Sequence, residues 1–315
     1  MFTRIIENVT DIFITILFYK IMKLYSINTG FFKLDGGAMF GVIPKSLWQK
    51  TNPSDANNMI DIAARALLIE DGKKLILIDN GLGNKQKQKF FDFYYLYGDD
   101  TLEKSLAKYG FTTNDITDVI LSHLHFDHCG GSIKWNSSKT KLELTFPNAT
   151  YWSNEKHWHC ATQPNRREAA SFLKENILPV QECGHLKFIP IAEMQYITES
   201  PCITFQNLPD LFIMYSEGHT ESMILPHVIY KNKNIVYAAD FIPTSGHIPL
   251  PYIMGYDTNP LITLDEKEKF LNRASEHDYI LFFEHDPVIE CCSLQKTEKG
   301  VKMKDKFSLA DFFSR

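Results

Sequence analysis

The segment Ser122–Gly131, SHLHFDHCGG, places three histidines and one aspartate within six residues. Imidazole nitrogens and carboxylate oxygens are the ligands with which proteins bind zinc and related divalent cations. Successive side chains of an extended segment point to opposite faces, so His123 and His125 project to the same side and can bind one ion. Asp127 and His128 follow where two glycines turn the chain, and they can reach a second point nearby. The pattern therefore predicts a metal site with room for two ions.

A purely structural zinc site is disfavoured, because such sites usually close with cysteines in tetrahedral geometry. Cys129 lies beside the cluster, but we expect its imidazole and carboxylate neighbours to supply the ligands. The 315 residues contain only six cysteines, and none belongs to a CxxC pair. This usage does not resemble a disulfide framework and favours a reducing cytoplasm.

Strand-like segments precede the histidine cluster and three other candidate ligands. The runs LFIMYSEGHT, NIVYAADFIP and YILFFEHDP are each apolar and of strand length, and they end in His219, Asp240 and His285. The run TDVILSHLHFDH delivers the cluster itself in the same way. Open α/β sheets place their sites in the loops that follow the strands. We therefore expect these four strand ends to meet at one site.

An additional strand end lies earlier in the chain. Two β-rich runs, Ala63–Ile69 and Lys74–Asp79, are separated by the dipeptide at 71–72, Asp-Gly, which is a strong hairpin signal. Asp79 therefore ends a strand at a loop.

Composition predicts helices over Lys85–Tyr109 and Arg167–Leu178. The first includes FFDFYYLY at 90–97, whose aromatic side chains suit the core, a lid or a subunit contact. Lysines cluster within 296–306, but acidic residues interrupt them, which favours a solvated hairpin over a binding patch.

Charge and length limit the possible partners. A net charge of −5 and a hydrophobic content of 44% argue against disorder and against nucleic acid as a partner. The apolar run IFITILFY at 12–19 has eight residues, too few to span a bilayer, and no small-residue cleavage site follows it. We expect no stable membrane anchor. Because Met22 opens the first clear strand pattern, residues 1–21 are interpreted as an N-terminal extension or a misassigned start, and residues 22–315 as one domain.

HLHFDH, together with the downstream GHT, AAD and EHD elements, resembles the metallo-β-lactamase superfamily over nearly all of residues 22–313. The resemblance implies an α/β fold, the four-layer αββα sandwich. It implies one metal bound by His123, His125 and His219, and a second bound by Asp127, His128 and His285. Asp240 would bridge the two metals, and Asp79 would support the ligand loop without binding metal.

The segment LDGGAMFGVIPKSLW at 34–48 is similar to the YtnP-type quorum-quenching lactonases and, more distantly, to methyl-parathion-hydrolase-like enzymes. The resemblance implies a loop at the mouth of the site, which makes Met39, Phe40 and Val42 candidate substrate contacts. The alternative is a buried hairpin tip. His247, shortly after the bridging aspartate, is a further candidate contact.

The chain also departs from related lactonases. After GHT it continues with Glu-Ser-Met, where many relatives have Pro-Gly-His, and the tyrosine that assists in some lactonases cannot be assigned. His157 and His159 have i, i+2 spacing, which separates them on a helix, so we expect surface or pocket-wall roles for them.

The predicted reaction is hydrolysis. Two divalent cations roughly 3.5–4 Å apart can acidify a shared water from a pKa of about 15.7 toward 7. The activated water would attack a lactone or ester carbonyl, with Asp127 relaying the proton. No GxSxG nucleophile elbow occurs in the sequence, and none is required. The ligand types suit zinc, although iron, manganese or cobalt can occupy such sites.

The resemblance implies lactones of the N-acyl-homoserine type as the first substrate class, with phosphotriesters or other carboxylic esters as the alternative. A mononuclear iron persulfide dioxygenase shares the fold and is a further alternative. His125 favours hydrolysis, since relatives with diiron redox chemistry tend to have glutamate there, and the complete second ligand set argues against a mononuclear enzyme. Similar lactonases imply a homodimer, with the segment at 90–97 as a candidate contact.

Overall fold

We describe residues 22–313 of a computed structural model, so the predicted N-terminal extension at 1–21 lies outside the described residues. The strands are β1 Lys23–Asp35, β2 Met59–Asp71, β3 Lys74–Ile78, β4 Asp118–Ile120, β5 Ile133–Trp135, β6 Leu142–Leu144, β7 Thr150–Ser153, β8 Leu186–Phe188, β9 Gln195–Tyr196, β10 Leu211–Ser216, β11 Met223–Tyr230, β12 Lys233–Tyr237, β13 Ile280–Phe282, β14 Cys291–Thr297 and β15 Gly300–Phe307. The helices are α1 Gly36–Phe40, α2 Lys45–Trp48, α3 Gln88–Asp92, α4 Leu102–Lys108, α5 Phe126–Cys129, α6 Glu155–Thr162, α7 Lys174–Glu182, α8 Pro260–Glu276 and α9 Leu309–Phe313.

Within residues 22–313, the strands form two large sheets and one small one. The first sheet has the order β1-β2-β3-β4-β7-β8, the second β15-β14-β13-β12-β11-β10-β9, and β5 pairs with β6 alone. The pairs β3/β4 and β12/β13 are parallel. Parallel neighbours end at the same edge of a sheet, so the loops that follow these four strands can meet.

Alternation along β2 explains why the sheets stack. Leu67 lies in the core that the first sheet shares with Ile224 of the second sheet. Leu68 points to the opposite face and packs with Leu106 of α4 and Ile177 of α7. Helix α8 packs against β14 of the second sheet. The predicted four-layer αββα sandwich is therefore confirmed. Among the described residues, no helix has the length and apolar character needed to cross a bilayer.

The predicted hairpins are present, because β2 pairs with β3 around the Asp-Gly turn and β14 pairs with β15. The predicted helix over Lys85–Tyr109 is wrong in its middle. Helices α3 and α4 form within this range, but residues 93–101 between them are not helical. Tyr95 has a φ of 47° and Gly98 a φ of 87°, and such left-handed residues end a helix.

The predicted helix over Arg167–Leu178 is wrong in its first half, because α7 begins only at Lys174. The Asn165 side chain accepts hydrogen bonds from the backbone nitrogens of Arg167 at 2.9 Å and Glu168 at 3.2 Å. These bonds cap a single turn, which does not continue as a helix because Ser171 O accepts from Phe126 N at 2.9 Å instead of from a following helical nitrogen.

A buried histidine in the second sheet should make folding sensitive to acid. His227 of β11 packs edge-on against Tyr279, and neither ring nitrogen has a hydrogen-bond partner among residues 22–313. Burial lowers the pKa of His227 to about 3. An unfolded histidine titrates near pH 6.5, so between pH 6.5 and 3 only the unfolded chain binds this proton. Stability is therefore lost as the pH falls, by about 1.4 kcal/mol per pH unit in that range.

We expect His227→Phe to be more stable than the wild type, since phenylalanine removes the unpartnered nitrogens. The gain should be about 2 kcal/mol larger at pH 5 than at pH 8. Urea unfolding at both pH values measures it. An equal difference between the two proteins at both pH values would rule out the buried neutral ring as its source.

Candidate metal centre

The ligand candidates predicted from the sequence lie together beyond the ends of β4, β12 and β13 and in the β10–β11 loop. They form two groups, each with ligand atoms within 4.8 Å of one another: His123, His125, His219 and Asp240, and Asp127, His128 and His285. All seven side chains are buried. The structure thus brings together residues up to 162 positions apart, since the first is 123 and the last is 285.

The ligand loop differs from the predicted extended segment. β4 ends at Ile120, and His123 and His125 lie in irregular chain before α5, which carries Asp127 and His128. The two rings present different atoms, because His123 Nε2 lies 3.0 Å from His125 Nδ1. The choice of ring nitrogen, and not strand alternation, lets both side chains reach one point.

Asp79, at the end of β3, holds this loop. Its Oδ1 accepts from Ser122 N at 2.7 Å, and its Oδ2 accepts from Ser122 Oγ at 2.5 Å. Its Oδ2 also lies 3.1 Å from Nδ1 of His128. The aspartate therefore fixes both the start of the loop and one ligand ring beyond it, and it belongs to neither of the two ligand groups above, although it forms a third acidic cluster with His128 and Glu284.

Asp240 faces both groups. Its Oδ2 lies 3.1 Å from His219 Nε2 and 3.5 Å from His128 Nε2, and its Oδ1 lies 3.0 Å from His285 Nε2. The preceding residue, Ala239, has a φ of 40°, so a left-handed turn after β12 aims the carboxylate into the site. This position allows one carboxylate to serve two ions.

Besides His128, whose outer nitrogen lies 3.1 Å from Asp79, three ligand histidines have an acceptor at the ring nitrogen that faces away from the site. The outer nitrogen of His219 lies 2.9 Å from Asp257 Oδ1, and that of His285 lies 2.8 Å from Ala63 O. The outer nitrogen of His123 lies 3.1 Å from the Ser122 hydroxyl, whose own hydrogen goes to Asp79. Such outer contacts fix the ring orientation and leave the inner nitrogen unprotonated.

The inner nitrogens fit bound cations. With the outer nitrogens protonated, lone pairs face each other at 3.3 Å between His219 and His125, and at 3.2 Å between His128 and His285. Asp240 Oδ1 is buried and has no hydrogen-bond partner among the described residues, despite its short contact with His285. Lone pairs that converge without hydrogens repel, whereas a divalent cation between them is stabilised.

The local charge also favours cations. Burial by itself lowers the pKa of His219, but the carboxylates of Asp240 and Asp257 outweigh it and raise this pKa to about 10. Burial and the neighbouring imidazoles hold the pKa of His123 well below its usual value, so this ring is neutral. His123 therefore offers a neutral nitrogen donor, while the carboxylates beside His219 create a field that attracts positive charge, whether protons or metal cations.

Several carboxylates behind the ligands are not predicted from the sequence as site residues, among them Asp257 and Glu284. Asp257 follows no strand and reaches His219 from a loop, so no pattern in the sequence marks it. Glu284 immediately precedes His285, and its Oε2 lies 2.9 Å from His128 Nδ1. Burial raises the pKa of Glu284 to about 7. The EHD triplet could have pointed to Glu284, because it places this glutamate directly before a ligand histidine. The resemblance, however, implies a role only for the histidine.

The surface or pocket-wall role expected for His157 is wrong, because this residue is fully buried. His159, two positions further along, is exposed. The Nε2 of His157 accepts from Leu124 N at 2.9 Å, and its Nδ1 donates to Glu221 O at 2.7 Å. Leu124 lies between two ligands and Glu221 lies two residues after a third. His157 therefore ties the two ligand loops together.

We expect His157→Phe to lower the free energy of unfolding by about 2–4 kcal/mol, because Leu124 N–H and Glu221 C=O would lose buried partners. Glutamine carries both an acceptor and a donor, so His157→Gln should recover part of the loss. Urea unfolding of the two variants measures the difference. A phenylalanine variant as stable as the wild type would show that the tie is dispensable.

A cavity of about 290 Å³ opens beside the ligand groups and is lined by His125, Asp127, His219, Asp240 and His285. Its other lining residues include the apolar side chains Leu34, Met39, Phe126 and Met254, and the polar side chains Tyr94, Arg167, Ser171 and Tyr256. The cavity therefore presents an apolar wall and a few polar groups next to the ligands, as small-molecule sites do.

The structure separates the four predicted substrate contacts. Met39 lines the cavity, whereas Phe40 is buried and stacks on the ring of His247 at 4.2 Å between centroids. His247 is itself buried, and its Nε2 lies 2.9 Å from Met39 O. Val42 is 95% exposed. His247 and Phe40 thus support the wall residue Met39 from behind.

Comparison with known protein families matches residues 61–285 to the family described as Metallo-beta-lactamase superfamily. An N-acyl homoserine lactonase of Bacillus thuringiensis is 21% identical over 279 residues, which cover 84% of this chain and 94% of that relative. An N-acyl homoserine lactonase of Bacillus cereus is also 21% identical, over 73% of this chain and 83% of the relative.

Two solved structures are similar over most of the chain. A probable metal-dependent hydrolase from Staphylococcus aureus is 25% identical, has a TM-score of 0.79, and covers 91% of this chain and 96% of its own. AidC, described as a dizinc quorum-quenching lactonase in complex with a hydrolysed product, is 22% identical with a TM-score of 0.70, over 91% of this chain and 95% of its own. The second likeness shows the fold alone.

Proposed function

The chain belongs to the metallo-beta-lactamase superfamily and is a metal-dependent hydrolase, and from this premise we propose that it opens lactone rings at a binuclear centre. The observation that carries the proposal is the position of Asp240, whose two oxygens face the two separate ligand groups. A single shared carboxylate between two sets of ligands suits two ions rather than one. We propose zinc as the metal, since its usual ligands are of these types.

When bound, a pair of divalent cations supplies acidified water at neutral pH and polarises a substrate carbonyl. Asp127 lines the cavity and is 8% exposed, so its carboxylate can take a proton at Oδ2 and pass it to a leaving oxygen. The apolar wall of Leu34, Phe126 and Met254 excludes bulk water from the substrate. These roles belong to side chains that already lie in place.

We propose N-acyl-homoserine lactones as the substrate class. The apolar wall suits an acyl chain, and the hydroxyls of Tyr94 and Tyr256 with the guanidinium of Arg167 can bind the polar lactone and amide groups. The relatives from Bacillus thuringiensis and Bacillus cereus, both N-acyl homoserine lactonases, support this class. No residue that lines the cavity is a serine-type nucleophile paired with a base, so attack by water is the expected route.

A panel of substrates on zinc-loaded protein tests the proposal. N-acyl-homoserine lactones of several chain lengths should give the highest kcat/KM, followed by simple esters. A paraoxon-type phosphotriester with a higher kcat/KM than every lactone would reassign the enzyme to phosphotriester hydrolysis. Oxygen uptake with glutathione persulfide would indicate the mononuclear dioxygenase instead.

We also propose a homodimer and a cytoplasmic location. Phe93 is 65% exposed and Tyr95 is 51% exposed, and apolar side chains exposed in one segment often mark a protein contact. The cysteines of the described residues are free, as in a reducing compartment. Sedimentation of the wild type and of Phe93→Ser would test the contact, since the substitution should favour monomers.

A further inference from the structure

Glu168 is a buried carboxylate that reaches the metal centre from a segment without metal ligands. It is 6% exposed and lies in the turn that replaces the predicted helix. Its Oε1 accepts from Asn165 Nδ2 at 2.6 Å and from Cys160 Sγ at 3.4 Å, and its Oε2 accepts from Thr220 Oγ1 at 2.8 Å. Three neutral donors thus hold the carboxylate in one position.

The remaining neighbour of Glu168 is a ligand histidine. Its Oε2 lies 3.5 Å from Nε2 of His125, the ring nitrogen that faces away from the ligand group. This nitrogen is buried and has no other partner among residues 22–313. Because His125 presents Nδ1 to the site, its proton must be on Nε2 and needs an acceptor. Glu168 is the acceptor within reach.

We propose that Glu168 is a positioning residue for the first metal group, since its carboxylate orients the ring of His125 through Nε2. The proposal rests on the proposed binuclear function. It places a carboxylate behind His125 in the same relation that Asp257 has to His219. Outer carboxylates of this kind raise the basicity of the ligand nitrogen and typically change metal affinity by 10–100-fold.

Two further contacts of the same turn reach this ligand. The ring of Phe172 lies 4.7 Å from the ring of His125, and Ser171 O accepts from Phe126 N at 2.9 Å. These contacts and the short distance to Glu168 place the whole turn against His125.

Metal titration of Glu168→Gln tests the proposal. Metal-free protein is titrated with Zn²⁺ in competition with a chromophoric chelator, and Co²⁺-loaded protein is compared by absorption. We expect two equivalents in the wild type. In the variant, one equivalent should bind about 10–100-fold more weakly, with a changed Co²⁺ spectrum, while the other keeps its affinity.

The matched control is Glu70→Gln, because Glu70 is a partly buried glutamate on β2 that accepts from Tyr25 Oη at 2.6 Å, away from the ligands. It should bind both equivalents as the wild type does. Equal losses in the two variants would mean general destabilisation and would overturn the proposal.

Unchanged affinity and spectrum in Glu168→Gln would overturn the positioning role and leave the binuclear function intact. A wild type that binds no pair of ions would overturn both. Should Glu168→Gln not fold, NMR of zinc-loaded wild type decides: the Nε2 proton of His125 should exchange slowly with solvent and shift downfield. Rapid exchange would contradict the proposal.

Discussion

Asp240→Asn is expected to lose hydrolytic activity toward the proposed lactone substrates by more than about 1,000-fold. Asparagine has nearly the same shape, so the loss would come from the charge that faces both ligand groups. Without that charge, His219 and His285 lose the carboxylate near their inner nitrogens, at 3.1 and 3.0 Å. Metal content by plasma mass spectrometry and kcat/KM on one preparation measure both consequences.

The control for this substitution is Asp61→Asn, because Asp61 is an exposed aspartate on β2 whose ion pair with Lys33 spans 3.6 Å. It should keep full activity and metal content, since exposed ion pairs contribute about 0–1 kcal/mol. An Asp240→Asn protein with wild-type metal content and activity would show that the two ligand groups act independently.

Asp127→Asn should lower kcat by about 100–1,000-fold, the second-largest effect, because the carboxylate both transfers a proton and belongs to the second ligand group. Its Oδ2 lies 3.9 Å from the inner nitrogens of His128 and His285. The first ligand group does not include this residue. We therefore expect weaker binding of one metal equivalent and normal binding of the other.

Steady-state kinetics with saturating Zn²⁺ separates the two roles of Asp127. If the residue only held metal, excess zinc would restore kcat to the wild-type value. If it also moves the proton, kcat stays low while metal content recovers. Wild-type kcat without added zinc would exclude both roles.

The convergence of the candidate ligands was predictable from the sequence because they follow apolar strands, whereas their division between two metals was implied only by the resemblance. A run such as NIVYAAD must end at a sheet edge, so its sequence pattern alone assigns Asp240 to a loop. The hairpin of β2 and β3 was equally clear from its Asp-Gly turn. The four-layer arrangement itself came from the resemblance, since strand patterns alone do not determine how two sheets stack.

The supporting residues could not be predicted because their roles depend on tertiary contacts. Glu168 lies in a stretch with helical composition, and hydrogen bonds from Asn165, Cys160 and Thr220 hold its carboxylate beside His125. His157 and His159 have the spacing of a surface pair. His159 faces solvent, whereas His157 is buried and faces the ligand loops. Asp257 follows no strand at all. Local periodicity does not report such contacts.

The most direct test of the binuclear centre is metal analysis of the wild type together with anomalous X-ray diffraction from zinc-loaded crystals. We expect two zinc equivalents per chain, one among His123, His125 and His219 and one among Asp127, His128 and His285, with Asp240 contacting both. A single zinc ion, or two ions of which neither contacts Asp240, would contradict the account.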